Sequence, residues 1–142
     1  MRFMVMVKAN RQSEAGEMPS AAMLEAMGRF NEEMVKAGVM MSGEGLHPSS
    51  GGARIRFAEQ GPSVADGPFS GDLVAGFWLI ETASREEAIG WMKRAPFAPG
   101  DELEIRQVFE AEDFGEVMTP ELRAQEERLR NELAGRPREN VR

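Results

Sequence analysis

A chain of 142 residues with 42% hydrophobic residues is long enough for one domain with a substantial core, and it has no apolar run of roughly 18 residues to span a membrane. The absence of cysteine removes disulfides, thiol catalysis and thiolate metal sites. A formal net charge of −7 argues against a nucleic-acid surface, which needs clustered Lys and Arg, and Arg54 and Arg56 are too few to reverse it. No charged-then-apolar leader precedes the first apolar run, so a single soluble, cytoplasmic domain is expected.

Residues 2–9 alternate, with Phe3, Val5 and Val7 on one face and Met4 and Met6 on the other, which predicts a first strand apolar on both sides. A polar loop follows. Pro19 and Ser20 then open a helix whose stripe of Met23, Met27, Phe30, Met34 and Ala37 recurs at helical spacing, with Gly38 as its C-cap. Methionine fills irregular cores well, so the stripe reads as core. Residues 39–46 form a second strand running into His47-Pro48, where the proline biases His47 toward extended backbone. After the loop Ser49-Ser50-Gly51-Gly52, residues 53–57 alternate, turn at Glu59-Gln60-Gly61-Pro62, and return through Ser63-Val64-Ala65 to Asp66 as a short hairpin.

Leu73 to Ile80 is continuously apolar and of strand length, which marks a central strand buried on both faces. Ser84 with Glu87 is a capping box that starts a second helix carrying Ala88, Trp91, Met92 and Ala95, and Pro96 stops it. Residues 103–110 supply the last strand, with Leu103, Ile105 and Phe109 on one face and Val108 on the other. Thr119-Pro120 opens a terminal helix over 120–134 that is ended by Gly135. Its stripe of Leu122, Leu129 and Leu133 is thin, and residues 136–142 are expected to fray. The order is that of a split β-α-β pattern with an inserted hairpin, an α+β fold with two helices on one face of an antiparallel sheet. The other face would expose an apolar patch, and a second copy packed sheet to sheet is the simplest cover.

His47 is the one histidine of the chain, and Asp66 precedes a Gly-Pro turn that restricts its backbone. Histidine titrates near neutrality, and a carboxylate on one ring nitrogen fixes the tautomer and strengthens the other as a base, which is a general acid-base arrangement. Two arrangements fit the residues: His47 and Asp66 share a cleft, or His47 ends a strand while Asp66 satisfies its own turn amides. Glu44 is an odd number of residues from His47 and faces the other side of a regular strand. Ser49 and Ser50 are too near His47 in sequence for triad geometry, and no oxyanion motif accompanies them. One histidine with carboxylates makes a nitrogen-and-sulfur zinc site very poor, so no metal is expected. Gly43-Glu44-Gly45 lacks the third glycine of a dinucleotide fingerprint, and no phosphate loop exists. Arg54 and Arg56 share a hairpin face that reads either as a solubilising surface or as one that orients an anionic ligand, and Phe69 and Trp78 read either as core or as walls of a substrate cleft.

The run Val39 to Pro48, then Asp66-Gly67-Pro68-Phe69, Gly76 to Glu81 and Glu110 to Phe114, in that order, resembles the YCII-related proteins of the DGPF type. The likeness covers residues 1 to about 115, leaving the helix and tail of 116–142 outside it. The resemblance implies a ferredoxin-like domain that pairs into a dimeric α/β barrel. It also implies a cleft in which His47 and Asp66 approach each other, with no established reaction, and an association with sigma factors of the extracytoplasmic-function class. The segment Ser70-Gly71-Asp72 is shorter than the family's usual one. The expectation is a homodimer that acts with His47 and Asp66 on a small organic molecule and holds no tightly bound cofactor; the alternative is a non-catalytic ligand-binding or regulatory module.

Overall fold

The computed structural model describes residues 1–136. Arg2–Lys8 forms strand β1, with Phe3 and Val5 buried and Met4 and Met6 half-buried on the opposite side, as a period of two dictates. The polar stretch after it, expected as a loop, contains a single helical turn, α1 (Arg11–Glu14). Asn10 caps it reciprocally: its Oδ1 accepts from the Ser13 N–H, and Ser13 Oγ accepts from the Asn10 N–H, each at 2.9 Å. The turn buries none of its residues, so it leaves no apolar period to read.

Helix α2 (Ala21–Lys36) starts where the Ser20 hydroxyl accepts from the Met23 N–H at 3.1 Å, and it buries Phe30 and Met34. Its C-cap is Ala37, one position earlier than expected, and Gly38 follows it at φ +73°. Strand β2 (Met40–Gly45) carries an irregularity between Met40 and Ser42. Strands β3 (Ala53–Ala58) and β4 (Gly61–Asp66) form the hairpin, β5 (Val74–Glu81) is the apolar strand, and α3 (Arg85–Met92) follows. The α3 capping box holds: Ser84 Oγ accepts from the Glu87 N–H, and Glu87 reaches back to the N–H of Ala83. Strand β6 (Leu103–Gln107) ends three residues earlier than expected, which leaves Phe109 outside the sheet.

Strands β1, β2, β5 and β6 form one antiparallel sheet in the order β2-β5-β1-β6, and the hairpin is a separate two-stranded sheet. Register pairs Phe3 with Ile80 and Val5 with Trp78, and these four side chains meet Phe30 and Met34 from α2 and Ala88 and Met92 from α3 in one core. Trp78 makes edge-to-face contacts with Phe30 and Phe97 at centroid distances of 5.9 and 6.1 Å. Such pairs contribute about 1 kcal/mol each beyond area burial. On the reverse side Met4 lies opposite Leu79 and Met6 opposite Phe77, beside Arg106 and Glu104 respectively. None of these four apolar side chains belongs to the core cluster. The mixed α+β reading therefore holds, with both core helices on the Phe3 side of the sheet.

In the hairpin Ile55 pairs with Val64 and Phe57 with Pro62, giving one apolar side. Every hairpin residue except Gly61 is exposed, Phe57 at 82%.

Residues 1–108 make one compact unit, and those from Phe109 onward make another. In the second, Ala111–Val117 is a short 3-10 stretch kinked at Gly115, and Phe109 stacks on Phe114 at 5.1 Å. Helix α4 (Pro120–Ala134) is capped by Thr119 with proline in its first turn, and its leucines are exposed. The expected frayed end lies, apart from Arg136, outside the described residues.

Candidate functional site

Strand β2 stays on the sheet as far as Leu46, whose N–H donates to the Ala75 carbonyl at 2.8 Å. The chain leaves at His47-Pro48, and the next residues make a 3-10 turn, Ser49–Gly51, closed when the Gly52 N–H donates to the Ser49 carbonyl. The hairpin then returns the chain to the same place. Asp66 pairs opposite Ala53, and the Gly67 N–H donates to the Gly52 carbonyl at 2.9 Å.

At Gly67 the backbone lies directly on the turn after His47. A Cβ there would sit 1.7 Å from the Ser49 carbonyl oxygen and 2.7 Å from its carbon, so only glycine fits. The following Gly67–Pro68 peptide is cis. Phe69 is then tied back: its N–H donates to Ser49 Oγ at 3.0 Å, and its ring lies 4.1 Å under the Arg54 guanidinium.

Ser49 is the centre of this junction. Its hydroxyl donates to Glu14 Oε2 at 2.6 Å, and its N–H donates to Glu14 Oε1 at 3.0 Å. The Ser49 hydroxyl, and after it the Ser49 N–H, hold the Glu14 carboxyl below its ordinary range against a smaller opposing effect of burial. Glu14, Ser49 and Phe69 thereby join α1, the turn after His47 and the Asp66 turn. Since its proton is committed to Glu14, Ser49 is poorly placed as a nucleophile. Sequence reasoning missed Glu14; the Asn10-x-x-Ser13 capping pair just before it was the available signal.

His47 and Asp66 are both exposed, and among the described residues no hydrogen bond or ion pair joins them. Arg54 is occupied over Phe69, whereas Arg56 lies exposed opposite Ser63. Trp78 stands elsewhere, buried in the core with its indole N–H donating to Asn31 Oδ1 at 3.0 Å. Glu44 pairs opposite Phe77, on the sheet face away from Trp78. A cleft of about 1160 Å³ opens between α2 and the sheet; Trp78 lines it, and none of His47, Asp66, Arg54, Arg56 or Phe69 does. Among the described residues no group of three or more His, Asp or Glu is placed to hold a metal ion, and no helix is long and apolar enough to cross a membrane.

The one-sided α+β sheet, with the Asp66-Gly67-Pro68-Phe69 turn fastened to the segment after its only histidine, defines a small domain built around a two-segment junction. Residues 1–112 match the family model of the YCII-related domain, and the chain belongs to that family. A comparison with curated proteins finds no match.

Proposed function

We propose that this YCII-related protein is a cytoplasmic homodimer in which His47 and Asp66 act as a general acid-base pair on a small organic molecule. The observation that carries the reading is the seat of Gly67 on Ser49. It holds the residue after Asp66 against a residue two positions from His47, so both side chains issue from one backbone junction. Glycine at 67 and the Glu14–Ser49 hydrogen bonds keep that junction rigid, which is what proton transfer requires of its donor and acceptor.

The dimer draws on the apolar residues that lie outside the core cluster. The strand order β2-β5-β1-β6 fits a ferredoxin-like split β-α-β fold, and two such sheets packed through Met4, Met6, Phe77 and Leu79 give a dimeric α/β barrel. The apolar side of the hairpin, with Ile55, Phe57 and Val64 exposed, would be covered in the same step. A second copy also brings new surface toward His47 and Asp66, which stand open to solvent in the single chain. Arg54, Arg56 and Phe69, on the adjoining hairpin and turn, are proposed to orient an anionic group of the substrate.

One observation favours a second reading, a non-catalytic ligand-binding or regulatory module of the kind associated with sigma-factor-dependent transcription. Neither His47 nor Asp66 lines the large cleft, so binding there does not require their side chains. His47→Ala and Asp66→Asn separate the two readings. The acid-base reading expects each change to abolish turnover of any substrate found while sparing its affinity, and unchanged turnover in both variants would defeat it.

A further inference from the structure

The cleft between α2 and the sheet has a floor built from the Gly43-Glu44-Gly45 segment that the His47 and Asp66 reading leaves unused. Three glycines, Gly43, Gly45 and Gly76, lie along it. Two have a packing reason: a Cβ on Gly43 would come 2.7 Å from the Trp78 ring, and one on Gly76 would come 2.9 Å from the Glu44 carbonyl oxygen. Gly45 has none. It lies within a strand, where glycine is weakening, its φ is outside the left-handed region, and no atom approaches its absent Cβ within 4 Å. By register with Gly76 and Gly43 it faces the helix side, into the cleft.

The opposite wall comes from α2. Met23, Leu24 and Met27 present flexible apolar side chains, and of the lining residues Leu24 is 59% and Met18 85% exposed. Asn31 also lines the cleft. Its Oδ1 is taken by the Trp78 indole N–H, and its amide nitrogen has no hydrogen bond among the described residues, yet no buried side-chain nitrogen lacks a partner, so that donor is accessible on a residue that lines the cleft. The charged lining residues carry both signs, Lys8 and Arg11 against Glu17 and Asp101, while Glu44 lines it from a strand position whose side chain lies on the other face. Lys8 and Asp101 are already engaged, with Glu104 and with Asn10 respectively.

We infer that this cleft is a binding site for an uncharged, largely apolar organic molecule carrying a hydrogen-bond acceptor. Its acceptor meets the Asn31 amide, its apolar body lies on the Gly45 floor, and Met23 and Met27 close over it. A concave lining with more apolar than polar surface and an accessible amide donor is a common form of such sites. Neither His47 nor Asp66 lines the site, although α1, which Glu14 ties to Ser49, does, and the inference stands whether or not that pair is catalytic.

The test is titration of the protein with prodan, an uncharged naphthyl ketone whose emission shifts to the blue in apolar surroundings. Saturable, blue-shifted binding of one molecule per chain is expected. Gly45→Val fills the floor and Leu24→Glu charges the α2 wall, and each should weaken binding by about tenfold or more. Leu24 is exposed, so its variant keeps the test valid even where Gly45→Val perturbs folding. His47→Ala and Asp66→Asn should bind prodan like the wild type. Unsaturable uptake, or affinity unchanged in both cleft variants, would overturn the inference, as would loss of binding confined to the His47 and Asp66 variants.

Discussion

The α-carbon of Gly67 rests on the carbonyl oxygen of Ser49, so closely that a Cβ added to residue 67 would fall 1.7 Å from that oxygen. The backbone around Ser49 is itself held by Glu14 and by the Gly52 N–H, so it cannot yield at low cost. Gly67→Ala should therefore destabilise the protein by about 2 kcal/mol or more through overpacking. Gly51→Ala, in the same turn with no atom within 4 Å of its absent Cβ, should be nearly neutral. Urea unfolding midpoints of the two variants make the comparison.

Glu14 ties α1 to the same turn through two hydrogen bonds from Ser49, and both favour its charged form. Its pKa is lowered in the folded state, so the stability it contributes is complete above the unfolded value, about 4.3. That stability is lost as the pH falls through the folded value. The stability gap between wild type and Glu14→Gln should thus be constant from neutrality to about pH 5 and shrink below about pH 4. Thermal unfolding across that range checks it; a gap that widens on acidification would contradict the sign.

Gly43 lies under the Trp78 ring, where a Cβ would come 2.7 Å from Cδ1. Gly43→Ala should push the indole off Asn31 and disturb its contacts with Phe30 and Phe97, at a cost of about 1–3 kcal/mol. Near-ultraviolet circular dichroism should change with it, because the ring's surroundings change.

Much of this fold is legible in the residues. The alternation of Phe3 and Val5 against Met4 and Met6, the Ser20 and Ser84 caps, and the unbroken run ahead of Ile80 each carry one period or one signal, and each element forms where they point. The departures have local causes. Strand β6 stops at Gln107, and Phe109 finds its ring partner in Phe114 rather than in the sheet. Helix α1 buries nothing, so only its cap could have announced it. The junction of Glu14 and Ser49 spans 35 residues of sequence and no periodicity encodes it. Asp66 and His47 were visible as residue types, but the fact that joins their segments is the missing side chain at Gly67, which becomes apparent only when Ser49 is seen against it.

Leu79 lies opposite Met4 on the sheet face away from the core helices. Leu79→Lys places a charge there without touching the core, so a dimer built on this face should dissociate while the chain stays folded. Equilibrium sedimentation at micromolar concentration should give twice the 15.7 kDa chain mass for the wild type and the single-chain mass for Leu79→Lys. A wild type at the single-chain mass would remove the sheet-to-sheet proposal.

The pairing of His47 with Asp66 is open to one direct measurement, because the chain has a single histidine and its imidazole nitrogens give one set of signals. A carboxylate on one ring nitrogen fixes the tautomer of a neutral imidazole, and an amide holds it less firmly. Long-range proton-nitrogen correlation spectra of the neutral form should show one tautomer in the wild type and a mixture in Asp66→Asn, with the fold unchanged. Identical imidazole nitrogen shifts in the two proteins would contradict the pairing, and with it the acid-base function proposed for this domain.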